Sequence, residues 1–255
     1  MKTILSYNVN GLRAALGKGF AEWLKTENPD IICIQETKAQ PEQIDEQIFR
    51  ALGYQCYWFS AIKKGYSGTA IFTKIKPDFI SQGIGIDLHD SEGRVLRADF
   101  GELTLLCAYF PSGTMGDARQ EVKMTFLADI QNFVNNLKTT RPNIILSGDF
   151  NICHKAIDIH NPERNKKTSG FLPEERAWVD AFVESGFVDS FRVVHTEPHR
   201  YSWWTYRAGA REKNLGWRID YHMVSKPLEN KIVDADIFPN IFHSDHCPIM
   251  VKIDF

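Results

Sequence analysis

The chain begins with the run Thr3-Ile4-Leu5-Ser6-Tyr7, which is mostly apolar and leads directly into Asn8 and Asn10. Similar runs recur beside polar side chains: Ile31–Ile34 before Glu36, Leu105–Ala108 before Tyr109, Asn143–Leu146 before Asp149 and Asn151, and Ile249–Ile253 after Asp245 and His246. Apolar residues at consecutive positions over such a length are typical of strands that are covered on both faces. The pattern therefore predicts a buried β-sheet core whose strands end in amides, carboxylates and a histidine.

Segments with helical periodicity lie between these runs. Asp117-Ala118-Arg119-Gln120 resembles a capping box and precedes apolar residues at helical spacing from Phe126 to Leu137. Further helices are predicted from Phe20 to Pro29, from Pro41 to Gly53 and from Pro173 to Gly186. Covered strands with helices outside them predict an α/β fold of two packed sheets flanked by helices. We find no linker or repeat, so we expect one domain over residues 1–255.

The composition is that of an ordinary globular protein, with 43% hydrophobic and 24% charged residues. The formal net charge is -2, so any surface that attracts nucleic acid must arise from an uneven distribution of charge. The five cysteines show no CxxC spacing, which favours free thiols in a reducing cytoplasm and argues against a structural zinc site. The chain shows no secretory signal pattern and no apolar run long enough to cross a bilayer, so we expect no membrane partner.

The polar residues at the strand ends are candidate metal ligands. Asn8, Asn10, Glu36 and Asp245 offer hard oxygen atoms with few carboxylates, which suits Mg²⁺ because this ion keeps several waters and also binds substrate phosphate. Zinc is disfavoured because the histidines lack sulfur partners and HExxH spacing. Any one of these residues alone more often caps a strand or turn, so the prediction depends on their convergence.

Ser244-Asp245-His246 is the sharpest local motif. A histidine beside an acid can act on a phosphoryl group, because its imidazole titrates near neutrality. Such a histidine needs a second carboxylate to fix its tautomer, and Asp220 in a strand-like run is the candidate.

A basic and aromatic segment lies between Arg200 and Arg218. It carries five basic residues against one acid, Glu212, and interleaves them with tyrosines and tryptophans. Basic groups neutralise phosphates and aromatic faces pack on sugars or bases, so this segment is a candidate DNA surface. Lys63-Lys64-Gly65-Tyr66 and Asn165-Lys166-Lys167 have a similar character. The alternative is a set of core aromatics with a solvated charged rim.

Ordered motifs along the whole chain resemble those of the exonuclease III-type apurinic/apyrimidinic endonucleases, within the endonuclease/exonuclease/phosphatase superfamily. They are Asn8-Val9-Asn10-Gly11-Leu12-Arg13, Gln35-Glu36-Thr37-Lys38, Gly65-Tyr66-Ser67-Gly68, Gly148-Asp149-Phe150-Asn151, Gly170-Phe171, Gly216-Trp217-Arg218-Ile219-Asp220-Tyr221 and Ser244-Asp245-His246. The resemblance implies a four-layer α/β sandwich of two mixed sheets flanked by helices. It also implies a DNA repair nuclease that incises 5′ to abasic sites and removes nucleotides or blocking groups from 3′ ends.

The resemblance also implies roles for individual residues. Glu36, Asp245 and Asn8 would bind Mg²⁺, for which Mn²⁺ could substitute; Asn10, Asp149, Asn151 and His246 are further candidate ligands. Asp149 would orient or deprotonate the attacking water, and Asn151 would hold that water or the phosphate. His246, oriented by Asp220, would stabilise the phosphoryl oxygens, and Tyr109 would assist the phosphate or leaving group.

The implied partner is double-stranded DNA with abasic sites or 3′ ends, bound by a monomer. The implied DNA contacts are Arg13, Lys38, Lys64, Tyr66, Asn165, Lys166 and Arg207. Trp203, Trp217 and Ile219 would line a pocket for a flipped, baseless deoxyribose, with the small Ser169 leaving it open. The sequence departs from many relatives at Asn10, Ser112, Met115 and Thr168, which puts the strength of DNA binding and turnover in question.

Two other functions remain open from the sequence. The same chemistry could act on an inositol phosphate or a sphingolipid head group, although the basic and aromatic segment favours DNA. A catalytically inactive DNA-binding module is the other, and it is disfavoured because Glu36, Asp149 and His246 are all present.

Overall fold

The computed structural model describes all 255 residues and contains twelve β-strands. They are β1 (Lys2–Asn8), β2 (Ile31–Gln35), β3 (Gln55–Phe59), β4 (Thr69–Thr73), β5 (Phe79–Gln82), β6 (Val95–Phe100), β7 (Leu103–Tyr109), β8 (Asn143–Asp149), β9 (Phe187–Asp189), β10 (Asp220–Ser225), β11 (Ile232–Ile237) and β12 (Ile249–Ile253). They form two six-stranded mixed sheets, with strand orders β11-β12-β1-β2-β4-β3 and β5-β6-β7-β8-β10-β9.

Eight α-helices surround the sheets. They are α1 (Leu12–Leu16), α2 (Phe20–Glu27), α3 (Gln47–Arg50), α4 (Asp87–Asp90), α5 (Asp117–Lys138), α6 (Pro162–Asn165), α7 (Pro173–Glu184) and α8 (Ser190–Val194). Short 3-10 turns span Pro41–Gln43, Ala156–Asp158 and Lys226–Lys231. None of the helices combines the length and the apolar character needed to cross a membrane.

Apolar clusters pack between these elements and hold them together as layers. Between the sheets, Ile4 and Ile31 of the first sheet pack with Leu105 and Ile145 of the second. On the outer face of the second sheet, a separate cluster joins its strands to α5 and α7, and the outer face of the first sheet packs against α1 and α2. Helix, sheet, sheet and helix layers result, which confirms the predicted four-layer α/β sandwich.

Two local predictions were wrong. Asp117 does not cap α5, because the helix begins at this residue after Gly116 and has no side-chain cap. The predicted helix from Pro41 to Gly53 is divided into a 3-10 turn and the short α3, because Ile44 takes an extended conformation between them. The predicted helices at Phe20 and Pro173 are confirmed as α2 and α7.

The strand directions bring the polar strand ends to one edge of the sandwich. β1 and β2 are parallel, as are β7 and β8, so the ends at Asn8, Tyr109 and Asp149 lie on the same side. β10 is antiparallel to β8 and begins at Asp220, directly opposite Asp149. β12 is antiparallel to β1, so the segment before it, with His246, reaches the same edge.

Candidate active site

Two carboxylates and one amide meet at the centre of this edge. The side-chain nitrogen of Asn8 donates to Glu36 Oε1 at 2.9 Å and to Asp149 Oδ2 at 2.8 Å, so Asn8 bridges the two sheets. Asn8 Oδ1 accepts from the backbone N–H of Asn10 at 3.0 Å. In this arrangement Asn8 holds the carboxylates with its nitrogen, and its predicted role as an oxygen ligand remains a prediction.

His246 lies between two buried carboxylates. Its Nδ1 is 2.9 Å from Asp220 Oδ2, and its Nε2 is 3.8 Å from Asp149 Oδ2. Because a carboxylate only accepts, Nδ1 carries the proton. Burial opposes protonation, but Asp220 and Asp149 outweigh it and raise the pKa of His246 to about 10. The two carboxylates therefore hold the imidazole as a cation, suited to contact a phosphoryl oxygen.

Asp149 is completely enclosed, and the pKa of its carboxyl group is raised. Burial and the nearby Asp220 raise its pKa, while His246 and the hydrogen bonds from Asn151 and Asn8 oppose the rise. Asn151 donates its backbone N–H to Asp149 Oδ1 at 2.8 Å and its amide to Oδ2 at 3.1 Å. A carboxylate with a raised pKa is suited to accept a proton from water near neutral pH.

Tyr109 ends β7 beside Glu36. Burial and Glu36 raise the pKa of the phenol well above its ordinary range, while Arg94 opposes this rise, so Tyr109 remains a hydrogen-bond donor. Arg94 donates to the backbone carbonyl of Tyr109 at 2.8 Å and lies 4.9 Å from its ring centre. Arg94 is buried and fixes the position of this phenol.

Asp245 lines the cleft and accepts hydrogen bonds from Trp203, Asn10 and Ser244. Trp203 Nε1 donates to Asp245 Oδ2 at 3.0 Å, and Asn10 Nδ2 donates to Oδ1 at 2.9 Å. Lys38 donates to Asn10 Oδ1 at 2.5 Å and forms an ion pair with Glu36 at 2.7 Å. The departure at Asn10 thus supplies a bridge between Lys38 and Asp245.

The loops that carry these side chains adopt uncommon backbone angles. Asn10, Glu36, Lys38 and Asn151 have φ values of 48°, 51°, 47° and 52°. Left-handed conformations of this kind cost energy for residues with a Cβ and cluster at functional sites.

The donor set fits a divalent cation. One ligand atom each from Glu36, Asp149 and His246 lies within 4.8 Å of the others. Two carboxylates face each other across Asn8, where Glu36 pairs with Lys38 and Asp149 lies 3.8 Å from His246. The donors are two carboxylates and one imidazole, with no cysteine sulfur among them.

A cleft of about 290 Å³ opens above this cluster. Its lining includes the apolar residues Trp203, Trp217 and Ile219, the loop residues Thr168, Ser169 and Gly170, and the polar residues Glu36, Asp149 and His246. The two tryptophan rings meet edge to face, 5.9 Å apart. The structure thus brings the predicted pocket residues into one cavity with Tyr109, Asp149, Asn151 and His246. Asp220 does not line this cavity but contacts His246.

The predicted DNA contacts divide into two groups. Arg13, Lys64, Lys166 and Arg207 are exposed to solvent, whereas Lys38, Tyr66 and Asn165 are half-buried and have partners within the protein. Tyr66 contacts Glu92 and Arg119, and Asn165 donates to the carbonyls of His160 and Asn161.

Part of the basic segment between Arg200 and Arg218 is buried or bonded within the protein, although its composition suggests an exposed DNA-binding surface. Arg218 is buried and pairs with Asp158 at 2.8 Å and Asp189 at 2.7 Å. Arg211 donates to the carbonyls of Ser244 and Ile241, which stabilises the loop before β12. The structure corrects the interpretation of these two arginines as DNA-facing groups: both serve the fold.

Sequence reasoning missed three residues that support the site. Ser202 donates to Asp220 Oδ2 at 2.6 Å, and Arg94 fixes Tyr109. Lys123 donates to the backbone carbonyl of Asn151 at 2.8 Å. Of these three, only Lys123 could have been recognised as buried from the sequence. It lies three and four residues before Phe126 and Leu127, on the apolar face of α5.

Comparisons with known proteins agree over nearly the whole chain. The model of the Endonuclease/Exonuclease/phosphatase family matches residues 5–246. The exodeoxyribonuclease of Bacillus subtilis (strain 168) is 44% identical over 253 residues, which cover 98% of this chain and 99% of that protein. The DNA-(apurinic or apyrimidinic site) endonuclease of Dictyostelium discoideum is 41% identical over 257 residues, which cover 98% of this chain and 70% of that protein. The structure of an AP endonuclease from Archaeoglobus fulgidus superposes with a TM-score of 0.90 at 29% identity, over 100% of both chains.

Proposed function

This chain belongs to the endonuclease/exonuclease/phosphatase family, among the exonuclease III-type abasic-site endonucleases, and on that basis we propose that it is a DNA repair nuclease. It hydrolyses DNA phosphodiester bonds, incising 5′ to abasic sites and removing nucleotides or blocking groups from 3′ ends. Its substrate is double-stranded DNA, which it binds as a monomer. We place it in the cytoplasm, a proposal supported by its five free cysteines.

One observation carries this proposal most strongly. The cleft lined by Trp203, Trp217 and Ile219 is also lined by Glu36, Asp149 and His246. A flipped deoxyribose without a base is small and mostly apolar, whereas its flanking phosphate is anionic. The cleft offers an apolar wall to the sugar and places the charged groups where the phosphate would lie.

The side chains divide the work of hydrolysis. Asp149 orients and deprotonates the attacking water, and Asn151 holds that water beside it. The cationic His246, oriented by Asp220, stabilises the negative charge that develops on the phosphoryl oxygens. Tyr109 donates its phenolic proton in a hydrogen bond to the phosphate or the leaving oxygen.

The proposed cofactor is Mg²⁺, for which Mn²⁺ can substitute. Glu36 and Asp245 would hold it together with Asn8, and Asn10, Asp149 and Asn151 are further candidate ligands. His246 is a candidate ligand only as the neutral imidazole, which is an alternative to its cationic role. When bound, the ion supplies charge stabilisation to the phosphate oxygens and to the leaving group.

The exposed basic side chains Arg13, Lys64, Lys166 and Arg207 are proposed contacts to the DNA backbone. Lys38, Tyr66 and Asn165 belong to the same proposed surface, nearer to the site. Their present partners within the protein would orient them for such contacts.

The test uses two matched duplexes, one with an abasic analogue and one intact with a recessed 3′ end, each with and without Mg²⁺. We expect cleavage 5′ to the abasic analogue and shortening of the recessed end, both only with Mg²⁺. A protein that hydrolyses inositol phosphates or sphingolipids but neither duplex would contradict the proposal.

A further inference from the structure

A second polar network lies beneath the cleft, and the ion pair at its centre is fully enclosed. Lys123 of α5 and Glu175 in the first turn of α7 have no exposed surface, and Lys123 Nζ lies 2.5 Å from Glu175 Oε1. Neither residue lines the cleft or contacts the cluster of Glu36, Asp149 and His246. Replacing such a buried pair with apolar residues often leaves stability unchanged or raised, so stability alone does not account for it.

One arm of the network reaches the loop that follows β8. Lys123 Nζ donates to the backbone carbonyl of Asn151 at 2.8 Å. Asn151 has a left-handed backbone, and its amide donates to Asp149. The ammonium group therefore fixes the peptide that aims Asn151 at the proposed base.

The other arm reaches the wall of the cleft. Glu175 Oε2 accepts from the backbone N–H of Gly170 at 2.6 Å and of Leu172 at 2.9 Å. Gly170 packs so closely on Trp217 that an added Cβ would lie 2.9 Å from the ring. The carboxylate therefore sets the distance between this loop and the tryptophan opposite.

Gln120 adds a third connection. Its Nε2 donates to Glu175 Oε1 at 3.0 Å, and its Oε1 accepts from the hydroxyl of Ser169 at 2.7 Å. Ser169 lines the cleft, so its side chain is tied to the same carboxylate. This use of Gln120 also explains why it does not cap α5.

We propose that Lys123 and Glu175 are a positioning pair that holds the wall of the abasic-sugar pocket in register with Asn151. This inference rests on the proposed function and extends it. The fit of the sugar in the pocket and the orientation of the hydrolytic side chains both depend on the rigid connection through Lys123 and Glu175. An abasic sugar seated against Ser169 and Gly170 then brings its phosphate to Asp149. A 3′-terminal nucleotide, which depends less on that wall, is less sensitive to the connection.

The test variant is Lys123→Met/Glu175→Gln, which removes both charges together and leaves an acceptor oxygen for Gly170 and Leu172. Active enzyme is first titrated with an uncleavable abasic duplex, and single-turnover rates are then measured on abasic and recessed 3′ substrates. We expect abasic incision to slow by about tenfold or more, with a smaller change in 3′ trimming. Lost folding would lower only the titrated amount of enzyme, whereas lost positioning lowers the rate constant.

The matched control is Arg97→Met/Asp99→Asn, which removes an ion pair of 2.5 Å from β6 near its end remote from Tyr109. It should leave both rate constants unchanged. If the Lys123/Glu175 variant does not fold, Gln120→Met removes the hydrogen bonds of Gln120 to Glu175 and Ser169 and leaves only the 3.4 Å contact from Ser169 to Glu175. This weaker connection should shift the ratio of rates in the same direction. An unchanged ratio in the variant that folds would overturn the positioning role, whereas a wild type unable to cut abasic DNA would overturn the proposed function.

Discussion

Asp220 Oδ2 lies 2.9 Å from Nδ1 of His246, although the two residues are separated by 26 positions in the chain. The same oxygen accepts from Ser202 at 2.6 Å, so the carboxylate is fixed from both sides. The contact fixes the imidazole with Nε2 directed toward Asp149. The orientation and the charge of His246 therefore both depend on Asp220.

Asp220→Asn should slow cleavage by roughly 10²- to 10⁴-fold, because an amide can donate to Nδ1 and stabilise the wrong tautomer. Binding of an uncleavable abasic duplex should change little. Ser202→Ala is the control, since it keeps the carboxylate and should have a much smaller effect. A single-turnover rate in Asp220→Asn equal to that of Ser202→Ala would rule out the orienting role.

Glu36→Gln should raise the Mg²⁺ concentration needed for half-maximal cleavage, because the amide keeps the shape but loses the charge that attracts the ion. The variant also loses its ion pair with Lys38. Lys38→Met separates the two effects, since it removes the ion pair but keeps the carboxylate. Should Glu36→Gln titrate with Mg²⁺ like the wild type, Glu36 is not a ligand.

Ser169→His should reduce abasic incision more than 3′ trimming, because the added ring fills the cleft beside Trp217. A fall of about tenfold in the ratio of the two rates corresponds to about 1.4 kcal/mol of transition-state stabilisation. Ser169→Ala loses the hydrogen bond to Gln120 without filling the cleft, so it isolates the effect of bulk. Equal ratios in the histidine and alanine variants would exclude a pocket at this position.

Arg207→Ala should weaken binding to every DNA sequence and reduce the slope of log affinity against log salt by up to about one unit. The side chain is exposed and makes no ion pair. Lys226→Ala is the control, because Lys226 is also exposed and follows the far end of β10, where it pairs with Glu229. Identical slopes for the two variants would show that Arg207 does not contact phosphate.

We expect His222 to make the free energy of unfolding depend on pH, independently of catalysis. It is enclosed between the sheets, where burial lowers its pKa from 6.5 to about 4. Between pH 4 and pH 6.5 the unfolded chain therefore binds up to one more proton than the folded protein. The stabilisation is fully present above pH 6.5 and is lost as the pH falls toward 4, at up to about 1.4 kcal/mol per pH unit.

Urea unfolding at several pH values measures this effect. The carbonyl of Ile249 only accepts, so Nε2 of His222 donates to it at 3.3 Å, and Nδ1 accepts from Ser147 at 2.7 Å. His222→Gln can keep both hydrogen bonds but does not titrate, so it should lose less stability as the pH falls. Parallel pH profiles for the two proteins would show that His222 is not the responsible group.

The strand ends were predictable because each one is encoded locally. Asn8, Glu36 and Asp149 follow apolar runs directly, and parallel pairing brings such ends to one edge. The supporting contacts were not predictable, because they join distant positions: Lys123 and Glu175 are 52 residues apart. Arg218 shows the converse failure, since a basic residue among aromatics resembles a DNA contact until its buried partners Asp158 and Asp189 are known.

The most direct test of the account is the single-turnover cleavage of an abasic duplex by Asp149→Asn at saturating Mg²⁺. The substitution keeps the size of the side chain and an acceptor for Asn8, but removes the group that takes the proton from water. We predict that the rate falls by roughly 10²- to 10⁴-fold while the affinity for an uncleavable abasic duplex changes by less than about threefold. A variant that cleaves at the wild-type rate, or one that loses only affinity, would contradict the central claim that Asp149 performs the chemistry.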